Sequence, residues 1–141
     1  VHVFTQGKDA QKFALELGCA SAQGAYDRAP VPLDSAIMFS PAGAMVPNAL
    51  ANLAPNGTLA LAGIHLSDVP SLNYQDHLFH EKTVTSVESN TRRDGEEFLT
   101  LADRLGITPT VTAVPFNQAD QALKRVSRGN IDGAYVLEMP S

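Results

Sequence analysis

Two short segments carry residues of the kind that line ligand crevices: Ser40-Pro41-Ala42-Gly43 and Gly63-Ile64-His65. Small side chains there let a ligand come close to the backbone, which bulky ones would prevent. His65 adds an imidazole, the side chain best suited to a proton relay near neutral pH; the plainer alternative is an ordinary loop histidine. His77 and His80 stand three apart with Glu81 adjacent, a spacing that puts metal-ligating types on one helical face. Incidental histidines on an exposed helix are the plainer reading. Arg92-Arg93 could meet a phosphate or simply open a surface helix.

What would hold the first two segments side by side is the stretch 34–65. Asp34-Ser35-Ala36-Ile37-Met38-Phe39 and Thr58-Leu59-Ala60-Leu61-Ala62 are short apolar runs separated by one helix's worth of residues, the pattern of a strand–helix–strand unit. A crossover helix makes both strands point the same way and opens a crevice at their carboxyl ends, where ligands sit in open α/β sheets. Such a unit usually builds a nucleotide-binding sheet. Both segments fall at those ends.

The rest of the chain alternates in the same way. A strand is expected over 1–5, entered with no Met and no preceding turn, then a Gln6-Gly7 turn. A helix over 8–17 follows, with Ala10, Phe13, Ala14 and Leu17 on one face and Gly18 as its cap. A short strand over 19–23 leads to an ordered loop over 24–33 carrying Pro30 and Pro32. The helix of the central unit is expected over 44–53, burying Met45, Val46, Ala49, Leu50 and Leu53, with Pro47 in its first turn and Pro55-Asn56-Gly57 closing it. After a loop over 65–72 and an amphipathic turn over 74–79, residues 82–87 read as an edge-proximal strand. Thr91 with Asp94 caps a helix whose apolar face is Phe98, Leu99, Leu101, Ala102 and Leu105. Last come a strand over 110–114, an Asn117-capped helix burying Ala119, Ala122, Leu123 and Val126, and a strand over 134–137.

The chain's 141 residues, 44% hydrophobic and 18% charged, suffice for an ordinary core. A net charge of −5 with scattered basic residues argues against a nucleic-acid partner. The single cysteine, Cys19, excludes internal disulfides and any multi-cysteine zinc site within the chain and suits a reducing compartment; it is expected to be a small buried residue. No membrane span and no leader are legible, so a soluble, cytoplasmic protein is expected.

Taken in order, Val1-x-Val3-Phe4-Thr5 with a helix ending Glu16-Leu17-Gly18, Leu33-Asp34-Ser35-Ala36-Ile37, Leu53-Ala54-Pro55-Asn56-Gly57-Thr58, Leu61-Ala62-Gly63 and Arg128-Gly129 before a closing strand resemble the cofactor-binding half of a medium-chain, zinc-type alcohol dehydrogenase. The resemblance covers nearly the whole chain. Leu61-Ala62-Gly63-Ile64-His65-Leu66-Ser67-Asp68-Val69-Pro70 is similar to the propanol-preferring branch.

The resemblance implies a fold of class α/β: a Rossmann-like parallel sheet that lacks its first strand and Gly-rich loop. Residues 1–109 would be the partial dinucleotide domain and 110–141 a segment returning to the catalytic domain. The family's G-x-G-x-x-G loop is absent here, as are the Cys, His and Glu that hold its catalytic zinc and the four Cys of its structural zinc. The family's closing-strand Arg, near the pyrophosphate, is Ala134 here. The chain is therefore expected to be a fragment without catalytic residues or metal ligands that binds dinucleotide weakly or not at all by itself.

The resemblance also assigns candidate cofactor-binding residues. Thr5 and Gln6 fall where an NAD-selective fold places an acidic residue against the ribose hydroxyls, so NADP is allowed and slightly favoured over NAD, with Lys8 a candidate phosphate contact. Ser40, Pro41 and Ala42 match the loop beside the adenosine ribose, and Gly63, Ile64 and His65 the loop under the nicotinamide. Ser89 and Asn90 match the segment that bonds the carboxamide through backbone groups. The whole enzyme would interconvert small alcohols and aldehydes and form a homo-oligomer through the edge at 82–87, with the loop 66–72 beside it. A zinc-free quinone reductase of the same superfamily and a stand-alone Rossmann-like binding module remain as alternatives.

Overall fold

Strands β3 (Leu33–Met38) and β4 (Leu53–Leu61) lie parallel, with helix α2 (Val46–Ala51) crossing between them after a 3₁₀ turn at Gly43–Met45. This is the expected strand–helix–strand unit. Its core is Met38, Val46, Leu50, Leu53 and Leu59, of which Val46, Leu50 and Leu59 are essentially inaccessible to solvent. In this computed structural model residues 1–129, 131 and 133–140 are described, and the chain divides into two compact units, 1–89 and 90–141.

Within residues 1–89, strand β1 (His2–Phe4) runs into helix α1 (Lys8–Glu16) and returns as β2 (Ser21–Gln23), parallel to β1. Gly7 and Gly18 flank α1 with φ of 85° and 90°, the left-handed region that only glycine enters cheaply. Of the expected α1 face, Ala14 is buried and Phe13 half-buried, while Ala10 and Leu17 are exposed; Cys19 is half-buried rather than buried. β5 (Thr83–Ser86) pairs parallel with β4 and closes a three-stranded sheet in the order β3-β4-β5, so it is an edge strand as its sequence suggests.

The expected helix over 44–53 is shorter. It stops at Ala51 because Leu53 already pairs with Leu33, and Leu33 N–H donates to Asn52 O at 2.9 Å. The Pro55-Asn56-Gly57 turn therefore lies inside β4 rather than before it. The register slips between Leu33 and Ser35, and Asn56 turns at φ 61° with its N–H donating to His80 O at 2.8 Å. Two cations close the carboxyl end of α2, Lys82 Nζ on Leu50 O at 2.7 Å and Arg28 on Ala51 O at 2.9 Å. Buried Asn52 accepts from Ala29 N–H at 2.8 Å and donates to Asn48 O at 3.0 Å and Asp27 O at 3.3 Å. Those bonds order the proline-bearing loop.

Helix α3 (Tyr74–His77) is capped by Asn73, whose backbone N–H donates to His77 Nδ1 at 2.9 Å. Among the described residues no three His, Cys, Asp or Glu side chains gather as metal ligands would.

Within residues 90–141, helix α4 (Arg92–Arg104) starts with the expected capping box: the Thr91 hydroxyl accepts from Asp94 N–H at 3.2 Å, and Asp94 Oδ2 accepts from Thr91 N–H at 2.7 Å. Its apolar residues Phe98, Leu99, Leu101 and Leu105 are exposed. Strand β6 (Val111–Pro115) pairs parallel with β7 (Ala134–Glu138) through helix α5 (Ala119–Ser127). Asn117 does not cap α5. It lies in a 3₁₀ turn, Phe116–Gln118, and Gln118 occupies the cap position without a side-chain bond. Ala122 alone of the expected α5 face is buried; Ala119 is half-buried, and Leu123 and Val126 are exposed.

The capping box makes α4 acid-sensitive at one end. Bonds from the Thr91 N–H and hydroxyl hold the Asp94 carboxyl below its ordinary 3.8. A depressed folded value means the stabilisation is present above 3.8 and is lost as the pH falls below it. Amide exchange over residues 92–95 is therefore expected to quicken on acidification below that value in the wild type and to be insensitive to pH, after correction for intrinsic rates, in Asp94→Asn. Identical acid responses in both would refute the assignment.

Candidate functional site: the carboxyl ends of β3 and β4

The two segments singled out by their small residues are tied together through their immediate neighbours Met38 and Ser67. Met38 O, the last carbonyl of β3, accepts from both Ala62 N–H at 2.9 Å and Gly63 N–H at 3.1 Å. Beyond the strands Ser67 N–H donates to Pro41 O at 2.9 Å, and Gly43 N–H donates to Ser67 Oγ at 2.9 Å. The Ser40 hydroxyl accepts from Ala42 N–H at 3.3 Å. Ser40, Pro41, Ala42, Gly63, Ile64 and His65 thus form one rim.

Two glycines make this approach possible. A Cβ on Gly63 would come within 2.6 Å of Ser40 O and 3.0 Å of Phe39 O, and one on Gly43 would overlap the carbonyls of Ser67 and Asp68. His65, exposed, holds φ at 59°, an unusual conformation for a residue with a side chain. Ile64 beside it is 80% exposed. Both side chains are therefore free to meet a ligand.

Thr5 follows β1 and donates its N–H to Gln23 O at 3.0 Å. Phe4, which precedes it, and Ser40 line the same cavity, so the ends of β1 and β3 open on one space; Gln6 is exposed. Ser89 and Asn90 are exposed where the chain passes from the first unit to the second. Lys8 bonds Gln11 at 3.3 Å, and Arg93 pairs with Glu97 at 2.7 Å on the surface of α4. Sequence reasoning missed Ser67, whose hydroxyl and N–H join the two loops. No local signal marks a bond spanning 24 residues.

No family model matches the chain. It is 53% identical over 137 residues to a probable alcohol dehydrogenase, AdhA, of Mycobacterium tuberculosis, a match that takes in 97% of this chain and 40% of that protein. The structure of CAD from Helicobacter pylori complexed with NADP(H) superposes with a TM-score of 0.78 at 21% identity, over 97% of this chain and 40% of that one. An NAD-dependent alcohol dehydrogenase gives 0.79 at 15%, over 99% and 44%. This chain therefore spans less than half the length of the relatives it matches. It has a Rossmann-like α/β fold with parallel strands, shared with part of these alcohol dehydrogenase structures, and is similar to the mycobacterial probable alcohol dehydrogenase over nearly all of its own length.

Proposed function

We propose that this chain is the cofactor-positioning part of an NAD(P)-dependent, zinc-type alcohol dehydrogenase that interconverts small alcohols and aldehydes. The observation that carries this reading is the bonded rim at the carboxyl ends of β3 and β4, where open parallel sheets hold ligands. Residues 110–141 are assigned to the segment that returns to the catalytic domain, and the β5 edge to a contact between subunits.

The fit to a dinucleotide is good at two ends and poor in the middle. Ser40, Pro41 and Ala42 offer backbone and a hydroxyl to a ribose, and Gly63, Ile64 and His65 offer a flat, permissive floor to a nicotinamide. No Gly-rich loop is present to hold a pyrophosphate. When bound, the nicotinamide supplies hydride transfer, and zinc elsewhere in the whole enzyme supplies Lewis-acid activation of the alcohol. This chain's residues orient the cofactor; none is assigned a catalytic role.

The whole protein is expected to reduce NADP or NAD with propan-1-ol, followed by absorbance at 340 nm; no alcohol-dependent reduction of either would overturn the proposal. The isolated chain is expected to be inactive and to bind neither cofactor with a micromolar dissociation constant in calorimetry. Thr5 decides the cofactor. A carboxylate there would repel a 2′-phosphate and accept from ribose hydroxyls, so Thr5→Asp in the whole protein is expected to shift the kcat/KM ratio about tenfold from NADP toward NAD, equivalent to about 1.4 kcal/mol. An unchanged ratio would remove Thr5 from the site.

A further inference from the structure

Helix α3 is a single turn, too short to hold itself, and bonds at both ends set its position. At its start the Asn73 side chain accepts from Asp76 N–H at 3.0 Å, and the Asn73 backbone N–H donates to His77 Nδ1 at 2.9 Å. This is the reciprocal logic of a capping box, with an imidazole in place of the usual Glu or Gln. At the far end Lys82 Nζ bridges Asp76 O at 3.0 Å and Leu50 O at 2.7 Å, and Asn56 N–H donates to His80 O at 2.8 Å, which ties that end to α2 and β4.

The near end therefore depends on an acceptor that titrates. A ring nitrogen accepts a bond only while it is unprotonated, so the neutral His77 ring carries its proton on Nε2. A second proton goes to Nδ1 itself, turns the acceptor into a donor facing another donor, and places a charge on a half-buried ring. α2, which packs on α3, and β4 carry no titratable side chain. The titratable groups nearest in the chain are Tyr74 and Asp76 on α3, His80, Glu81 and Lys82 just after it, and Asp68 in the loop before it. Among the described residues the ion pairs are Lys12–Glu16, Arg93–Glu97 and Lys124–Asp120, none of which involves His77.

The loop 66–73 joins this end of α3 to the rim. Leu66 and Leu72 pack against the core, and Ser67 is bonded to Pro41 and Gly43. Residues 68–71 between them are exposed and belong to no helix or strand, so the loop is held at its two ends.

We propose that His77 is an acid-sensitive latch on this loop: the neutral ring holds Asn73, and protonation releases the loop at that end and, through Ser67, loosens the junction at Pro41 and Gly43. The stabilisation is present while the ring is neutral and is lost as the pH falls and the ring takes its proton, a change that imidazoles make between about pH 8 and about pH 5. The latch acts on the shape of the rim and is independent of which ligand the rim receives.

Residue-resolved amide exchange in the complete protein, without added cofactor and corrected for intrinsic rates, tests this. From about pH 8 to about pH 5 the amides of Asn73, Ser67 and Gly43 are expected to lose about tenfold in protection, reversibly. His77→Asn keeps an acceptor near the position of Nδ1 and does not titrate, so protection should persist across the range. His77→Ala should be as weakly protected at the higher pH as the wild type is at the lower. His80→Asn, which retains the carbonyl bonded to Asn56, should respond like the wild type. The same acid response in His77→Asn as in the wild type overturns the proposal, and so does a response at Asn73 that leaves Ser67 and Gly43 unchanged.

Discussion

Leu50→Ala is expected to lower the stability of residues 1–89 by about 3–5 kcal/mol, the upper part of the range for a large-to-small change in a core. Leu50 is 0% exposed and sits on α2 against Val46, Leu53, Leu59 and Met38, with Leu33, Ala36, Leu61 and Leu78 packed around them. The sheet on one side cannot move inward, because β3 and β4 are tied by backbone bonds in fixed register, so the cavity left by the lost atoms closes only partly. The bond from the Lys82 ammonium to the Leu50 carbonyl survives the substitution and separates the packing loss from the helix cap. A domain is stable by only about 5–15 kcal/mol, so the variant should unfold at a markedly lower urea concentration, followed by circular dichroism. Leu99→Ala is the control: Leu99 is 68% exposed on α4, and its loss should change stability by less than about 0.5 kcal/mol. A Leu50→Ala effect below about 1 kcal/mol would show that the described core is not what holds the unit together.

That contrast marks what was legible in the sequence. The central unit could be read because its apolar runs, helix and small strand-end residues all point to one arrangement, and so could the Thr91–Asp94 cap, whose chemistry is local. Burial on α4 and α5 was less legible. Periodicity shows that apolar residues such as Phe98 and Leu101 on α4 or Leu123 on α5 fall on one face of their helix but not whether anything covers that face, and here all three are exposed. Pro55-Asn56-Gly57 misled in a different way: a tripeptide that normally ends an element sits inside β4, since the Leu33–Leu53 pair begins the ladder five residues earlier than composition suggests. The candidate site divided likewise. Small residues marked where the two loops are, while the bonds that join them run between residues 24 to 26 apart and leave no trace in local pattern.

Gly43→Ala is expected to break that junction. The added methyl would overlap the carbonyl oxygens of Ser67 and Asp68, which are backbone atoms and cannot turn aside as a flexible side chain would. Either the 3₁₀ turn at Gly43–Met45 or the loop 65–68 must shift, and either movement separates Gly43 N–H from Ser67 Oγ and Ser67 N–H from Pro41 O. Overpacking of a closed site costs about 1–3 kcal/mol and occasionally more, and an obstacle made of backbone favours the upper end. Ser67→Ala removes the hydroxyl acceptor without adding volume and should cost only about 1 kcal/mol. The pair therefore distinguishes close approach from hydrogen bonding. In the whole enzyme Gly43→Ala should raise the KM for the nicotinamide cofactor at least tenfold, because it displaces the rim formed by Ser40, Pro41, Ala42 and Gly63, whereas Ser67→Ala should change it severalfold at most. Equal effects of the two variants on KM would mean that the Ser67 bonds, and not the room left by glycine, set the geometry of the rim; an unchanged KM in both would mean that the rim does not meet the cofactor.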